Sequence, residues 1–285
     1  MTTTARYAVI GHPITHSRSP EIHMAFAKQL GIDLHYERID PTPASFEQTV
    51  QQFFAQGGLG ANVTVPFKEQ AWQMARAHLS ARARDAGAVN TLWQSTGQLH
   101  GCNTDGVGLV SDLLRLGVKL PGANILMLGA GGAARGVLGP LLDSGCNHVR
   151  VLNRTAQRAH RLISDWLASH PEQAKYLSAG GLDELDPETS WDLVINATSS
   201  SLQGQSVSMP ALRFDADTFA YDMMYGGQLT AFLQQAQQAG CRHLADGLGM
   251  LVSQAAESFH IWRSRRPAVA PVIDAMRLEL QRAVR

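Results

Sequence analysis

The chain has 285 residues, 24 Lys+Arg against 24 Asp+Glu, and a formal net charge of zero, with 45% hydrophobic and 17% charged residues. At roughly 100–200 residues per domain this length favours two domains, and the composition is globular rather than disordered. Balanced charge gives no electrostatic case for nucleic acid or an anionic membrane as partner, and no apolar run approaches the ~18 residues of a membrane span.

The three cysteines, Cys102, Cys146 and Cys241, form no C-x-x-C pair. That argues against a disulfide framework or a zinc site and for a reducing, cytoplasmic setting. The first residues lack the basic start and apolar stretch of a signal peptide.

In chain order, Tyr7–Ile10 reads as a strand, 20–30 as a helix and Leu34–Ile39 as an alternating strand. Phe46, Val50, Phe53 and Phe54 share one face of a helix over Phe46–Ala55. Ala61–Val65 is a strand stopped by Pro66, followed by an Ala/Arg-rich helix over Lys68–Arg84 and a strand over Ala88–Leu92. A helix over Asp105–Leu116 ends at Gly117. The pattern then restarts: strand Asn124–Leu128, helix Gly131–Asp143, strand Val149–Leu152, helix Ala156–Ser169. Further strands fall at Leu193–Asn196, Phe219–Asp222 and His243–Ala245, and helices close the chain at Met250–Trp262 and Val272–Arg285. Such alternation predicts parallel sheets with right-handed crossovers. Gly117–Gly122, with Pro121, is the domain junction that composition suggests.

Gly129-Ala130-Gly131-Gly132-Ala133-Ala134 fits G-x-G-x-x-A between a strand and a helix, the context of a dinucleotide fingerprint. The first glycine permits a tight turn and the second lets a pyrophosphate approach the backbone. Small Ala134 allows close helix–strand packing. Free N–H groups at the helix start then hold phosphate charge. Pro140 inside this helix predicts a kink or irregular turn. An NAD site carries Asp or Glu about 20 residues further on, for the ribose 2′-OH. Here that place holds Asn153-Arg154-Thr155, with Arg158 one turn later. Guanidinium forks suit a 2′-phosphate, so the expectation is NADP, with Arg154 and Arg158 on the phosphate.

Ser17-Arg18-Ser19-Pro20-Glu21 makes a good helix start, with Ser19 as N-cap and Pro20 at N1, and that alone explains it. Two hydroxyls beside a helix N-terminus would also suit a small carboxylate. Period 2 puts Asn62 and Thr64 on one strand face, and Lys68 follows at the carboxyl end, where open α/β sheets place ligands. Asn90 and Asp105 mark two more element ends. A lysine and an aspartate at two loop mouths tune each other's pKa and form a candidate proton-handling pair. His12, His16 and His23 cluster in sequence without a completing ligand set, so no metal is expected.

Together these segments resemble the shikimate dehydrogenase family: Gly11-His12-Pro13-Ile14 with Ser17-Arg18-Ser19-Pro20, Asn62-Val63-Thr64-Val65-Pro66-Phe67-Lys68, Gly87-Ala88-Val89-Asn90-Thr91, Asn103-Thr104-Asp105-Gly106, the Gly129 fingerprint, Asn153-Arg154-Thr155, Asn196-Ala197-Thr198-Ser199, Tyr221-Asp222-Met223 and Gly247 through Ala255. The resemblance implies an α/β fold with a substrate domain of residues 1–105 and 250–285. A Rossmann-type NADP domain of residues 106–249 accompanies it, with the active-site cleft between the two. It implies reversible NADPH-dependent reduction of 3-dehydroshikimate to shikimate in aromatic biosynthesis. Carried over by motif, Lys68 and Asp105 are the catalytic pair beside the reacting oxygen. Ser17 and Ser19 hold the substrate carboxylate. Asn62, Thr64, Asn90, Asp105, Tyr225 and Gln254 contact or orient the ring. The cofactor side comprises Gly129, Ala130, Gly131, Gly132, Ala133, Asn153, Arg154, Thr155, Arg158, Ala197, Thr198, Met223, Gly247 and Met250. Arg18 stands where the family commonly has Lys, His12 and Met24 where Asn is frequent, and Ala231 where Pro is usual. Ala231 is expected to loosen the start of its helix.

Three rivals stay open at this level. One is a broader quinate/shikimate enzyme or one using NAD. Another is a non-catalytic NADP-binding sensor, which needs the fingerprint but neither Lys68 nor Asp105. A methyltransferase also opens on a glycine loop but wants an acid where Asn153 stands. The chain is expected to act as a monomer or homodimer.

Overall fold

The computed structural model describes residues 4–198 and 212–283. Residues 1–3, Ser199 of the quoted Asn196 motif and the last two residues of the expected C-terminal helix lie outside them. The chain forms two compact units, residues 1–108 with 251–274, and 109–250 with 275–285. No helix among the described residues is long and apolar enough to cross a membrane.

The first unit holds β1 (Ala5–Ile10), α1 (Ser19–Leu30), β2 (Leu34–Ile39), α2 (Phe46–Ala55), β3 (Gly58–Val63), α3 (Lys68–Met74), α4 (Ala81–Ala86), β4 (Thr91–Ser95) and β5 (Gln98–Cys102). Its sheet runs β2-β1-β3-β4-β5. The first three strands are parallel, but β4 runs antiparallel to both β3 and β5, which corrects the expectation of wholly parallel sheets. The cause is a two-residue hairpin. Ser95 pairs with Gln98, and Thr96 and Gly97 both take positive φ, the conformation whose twist suits such loops. The long helix expected over Lys68–Arg84 is broken, because Ser80 turns extended and accepts from Ala83 N–H at 3.2 Å to start α4 anew.

One face of this sheet packs Phe46, Val50 and Phe53 of α2 and Phe67 and Ala71 around α3. On the other, rings stack: His23 on Tyr36 at 4.5 Å and Tyr7 on Trp262 at 4.9 Å. Trp262 belongs to α9 (Leu248–Arg263). A Cβ on Gly60 would meet its ring at 2.5 Å, so glycine lets this helix lie against β3.

Glu257 of α9 is buried and paired to Arg82 at 3.1 Å and Arg266 at 2.9 Å. Burial pushes its carboxyl upward, but the two guanidinium groups outweigh that and hold it below the ordinary value. A depressed folded pKa gives stability that is present above the unfolded pKa and lost as pH falls through the folded one. Glu257→Gln is therefore expected to destabilise by about 1–3 kcal/mol at pH 7. In urea titrations the gap to the parent should begin to narrow near the unfolded carboxyl pKa of about 4.3 and close as pH falls through the lower folded value; a pH-independent gap would remove the ion pairs as its cause.

The second unit carries most of α5 (Asp105–Arg115), then β6 (Asn124–Leu128), α6 (Gly132–Asp143), β7 (His148–Asn153), α7 (Ala156–Leu167), β8 (Leu177–Gly181), β9 (Leu193–Asn196), β10 (Phe219–Asp222), α8 (Ala231–Gln238) and β11 (His243–Asp246). Every pairing in its sheet is parallel and the order is β11-β10-β9-β6-β7-β8. Order reverses at β6 and β9, the switch point where such sheets bind ligands. Ile125 and Met127 face one core and Leu126 and Leu128 the other, as strands covered on both faces require.

Five sequence expectations change here. Strand β8 was not anticipated. Gly117–Gly122 is not a linker between units but the α5–β6 loop, anchored by the fully buried Leu120. Helix α6 runs unbroken through Pro140, only one turn from its end, so few helical bonds are at stake. Ala231 does not loosen α8, because the Thr230 side chain accepts from Leu233 N–H at 3.3 Å and caps it. The final helix α10 (Ala270–Arg282) is divided, with residues 275–285 counted in the second unit rather than wholly in the first. There Arg277 pairs with Asp246.

Candidate active site

In the first unit the chain ends of β3, β4 and β5 bring four of the expected side chains together. Lys68 opens α3 just past β3, and its Nζ donates to Asp105 Oδ2 at 2.6 Å. Asp105 is the first residue of α5, where a carboxylate is favoured by the helix dipole. Its N–H donates to Asn103 Oδ1 at 3.0 Å. Asn90 Nδ2 donates to Asp105 Oδ1 at 2.8 Å and lies 3.4 Å from Gln254 Oε1. Asn90 Oδ1 accepts from Thr104 N–H at 2.9 Å, which fixes the amide orientation. Gln254 reaches the group because Gly108 of α5 lacks a Cβ; one would meet the Gln254 backbone N at 2.8 Å.

The pair is partly open, with Lys68 29% and Asp105 19% exposed in their side chains. Asn90, at 3%, is buried. The arrangement presents an ammonium to a ligand while a fixed carboxylate aims it. That suits hydrogen bonding or proton delivery to an oxygen that gains negative charge.

Ser17 and Ser19 lie side by side, Oγ to Oγ at 3.3 Å. Arg38 of β2 donates to the Ser17 carbonyl at 2.6 and 2.9 Å and to Glu21 at 2.8 Å, pinning the turn. Ser19 bonds on to Tyr36, whose hydroxyl donates to Asn62 Oδ1 at 2.8 Å.

Asn62 is placed differently from a ring-contacting residue. It is 5% exposed. Its Oδ1 also accepts from His23 Nε2 at 3.1 Å, and its Nδ2 donates to Asn90 O at 3.1 Å and Ser258 Oγ at 3.0 Å. Both ends of the amide are thus used inside the protein. His23, passed over in the sequence, is part of this net. Full burial lowers its pKa to about 3, so the ring is neutral and Nε2 carries the proton toward Asn62. Thr64 stands just past β3, half-buried, its N–H bonded to Ile10 O.

Ser258, Thr91, Thr104 and Tyr36 were the residues missed. Ser258 Oγ lies 2.8 Å from Thr91 Oγ1 and 3.3 Å from Thr104 Oγ1. One signal was present: Ser258 sits four residues after Gln254, hence on the same helical face.

In the second unit the fingerprint forms the turn from β6 into α6. Gly129 has φ +107°, and a Cβ there would stand 3.1 Å from the Ala197 carbonyl carbon, so only glycine fits. Gly131 and Gly132 have open space where a Cβ would be, and residues 131–133 are exposed at the helix start. That is a cradle for a pyrophosphate, with free N–H groups and the positive end of α6. Asn153 ends β7 and donates to Thr155 O at 3.0 Å. Arg154 and Arg158 are exposed, and among the described residues neither side chain is engaged in an ion pair. The residues present therefore fit a phosphorylated dinucleotide.

Thr198 is held by Asn196, whose Oδ1 accepts its hydroxyl at 2.7 Å, and Asn196 Nδ2 donates to Asp222 Oδ1 at 3.0 Å. Burial raises the Asp222 carboxyl. Gly247 N–H donates to Met224 O at 3.0 Å, and a Cβ on Gly247 would strike the Met223 carbonyl. Met223 and Tyr225 are half-buried in the turn after β10. Met250 is 8% exposed and packs in the core. Among the described residues no three His, Cys, Asp or Glu side chains are grouped to hold a metal ion.

Three family models match the chain: the shikimate dehydrogenase substrate binding domain over residues 9–92, shikimate / quinate 5-dehydrogenase over 113–207, and the shikimate 5′-dehydrogenase C-terminal domain over 247–277. The shikimate dehydrogenase (NADP(+)) of Bordetella petrii is 57% identical over 96% of each chain. The chain belongs to the shikimate dehydrogenase family. With that family it is an NADP-dependent oxidoreductase. Among solved structures, an Ael1 enzyme from Pseudomonas putida matches with a TM-score of 0.87 and 39% identity over 95% of this chain and 98% of that one. The shikimate 5-dehydrogenase of Thermus thermophilus, in complex with NADP(H) and shikimate, matches with a TM-score of 0.82 and 33% identity over 96% and 99%.

Proposed function

We propose that this member of the family interconverts shikimate and 3-dehydroshikimate, with Lys68 and Asp105 as the catalytic pair. The observation that carries the reading is the Lys68–Asp105 ion pair at 2.6 Å, fixed from behind by Asn90. When bound, NADPH supplies the hydride. Lys68 then meets the ketone oxygen with a positive N–H donor as that oxygen becomes an alkoxide, and furnishes the proton that neutralises it. Asp105 keeps the ammonium aimed, and in the reverse direction the neutral Lys68 amine takes the proton back from the alcohol. Ser17 and Ser19 hold the substrate carboxylate, and Gln254 and Asn90 orient its hydroxyls. Gly129 to Ala133 receive the pyrophosphate, and Met223 and Gly247 line the nicotinamide end.

The test mixes purified protein with shikimate plus NADP⁺, quinate plus NADP⁺, and shikimate plus NAD⁺, following the near-ultraviolet absorbance of reduced nicotinamide. Turnover confined to shikimate with NADP⁺ supports the reading. Equal rates with quinate move it to the broader substrate class, and NADPH binding without any turnover removes the catalytic roles. Arg154→Ala is expected to weaken NADPH about 10–100-fold, the loss of a charged phosphate contact of about 1.5–3 kcal/mol, while leaving NADH within twofold. Titration of both cofactors by fluorescence checks this, and an unchanged affinity ratio would take Arg154 off the 2′-phosphate.

A further inference from the structure

We propose that Arg277 is a positioning residue for the turns after β10 and β11, which carry Met223, Tyr225 and Gly247. The inference rests on the reading above of those three residues as lining the ligands. The Arg277 guanidinium faces the Asp246 carboxylate with both ends: Nη1 donates to Oδ2 at 2.8 Å and Nη2 to Oδ1. Nη1 also donates to the carbonyl of Gly226 at 2.9 Å. Asp246 in turn accepts from Leu248 N–H at 3.2 Å and from Gly226 N–H at 3.4 Å. Gly226 is thus held through both its main-chain groups, one residue after Tyr225 and three after Met223. Asp246 is held one residue before Gly247.

The two turns touch without slack, since Gly247 bonds Met224 O and leaves no room for a side chain against Met223. A planar fork can bridge a carboxylate and a carbonyl at once, whereas an ammonium is a point charge that meets one or the other. The Asp246 side chain is only 7% exposed, so losing the fork leaves a buried carboxylate short of partners. Its relief is to turn toward water, which releases Gly226 and shifts the wall that carries Tyr225 and Met223. Sequence position gave no hint of this, because Arg277 lies 31 residues from Asp246 and 51 from Gly226.

The test compares Arg277→Lys and Arg277→Ala with Arg282→Ala, an exposed position on the same helix. KM for shikimate, kcat, NADPH affinity by fluorescence and thermal unfolding are measured on each. For Arg277→Lys we expect KM for shikimate and Kd for NADPH to rise together by about tenfold, with a larger rise for Arg277→Ala and parental values for Arg282→Ala. Values of KM and Kd within twofold of the parent, with or without a lower Tm, would overturn the proposal and leave Arg277 a stabilising residue only. If Arg277→Ala does not fold, Arg277→Lys decides. Should the parent itself fail to oxidise shikimate, the functional reading falls, and the NADPH titration still decides whether Arg277 sets the cofactor wall.

Discussion

Replacing Lys68 with alanine is expected to lower kcat by about 10³-fold, with KM for shikimate changed less than tenfold and NADPH affinity unchanged. The reason is the timing of the charge. A ketone oxygen asks little of an ammonium, but the alkoxide that replaces it asks for a proton and a counter-charge together, so the loss falls on the transition state. Lys68 is suited to this because its partner is fixed: the Asp105 carboxylate accepts from Asn90, its N–H donates to Asn103 Oδ1, and it cannot follow the lysine away. Asp105→Asn should therefore also lose kcat, and its loss should not add to that of Lys68→Ala, since the two act as one unit. Steady-state kinetics on the two single variants and the double variant check both statements. A Lys68→Ala enzyme that kept its kcat and raised only KM would reduce Lys68 to a binding residue.

Asn62→Ala is expected to cost about 3–5 kcal/mol of stability, out of proportion to one amide. The side chain joins Tyr36, His23, Ser258 and the Asn90 carbonyl, and His23 and Ser258 are fully buried. Removing it strands donors and acceptors that water cannot reach, each costing about 1–3 kcal/mol before relaxation. Urea unfolding at neutral pH measures the effect, and the midpoint should fall well below the parent's. A rise in KM with unchanged stability would restore Asn62 to the role of a ring contact. His23 makes stability fall with acidification from about pH 6.5 downward, because its folded pKa of about 3 lies below its ordinary value. The ring is neutral in both states above pH 7, and the stability this gives is lost only on acidification, when the unfolded histidine takes up a proton that the buried ring refuses.

The site was legible in the sequence where its residues stand at element ends marked by local chemistry. Lys68 follows a proline-stopped strand, Asp105 opens a helix, and Gly129 to Ala133 sit between a strand and a helix; each placement needs only neighbours within one turn. The β4–β5 hairpin is equally local, with Thr96-Gly97 as its turn, but the strands on either side are too short for a clear alternation. The surroundings of Asn62 were hidden for another reason. Period 2 placed it on the correct strand, but whether the face holding it met ligand or core depended on β2 and α9 packing there, Tyr36 from one and Ser258 from the other.

What the sequence determined by itself, then, is much of what short-range geometry governs: the alternation of strand and helix, the glycine turn and the arginines past β7, although Ser19 is the first residue of α1 and Arg18, not Ser19, stands at its cap. Only the tertiary structure decided which side chains share a network. Asn90 and Gln254 are 164 residues apart, and Arg277 and Gly226 51. Such contacts arise from strand order, and the first also from a helix that can approach only where Gly108 lacks a Cβ. Hydrogen bonding and ion pairing act over about 3 Å, while the order in which strands assemble is set by burial summed over the whole unit. A linear reading sees the groups but not which of them that burial brings into reach.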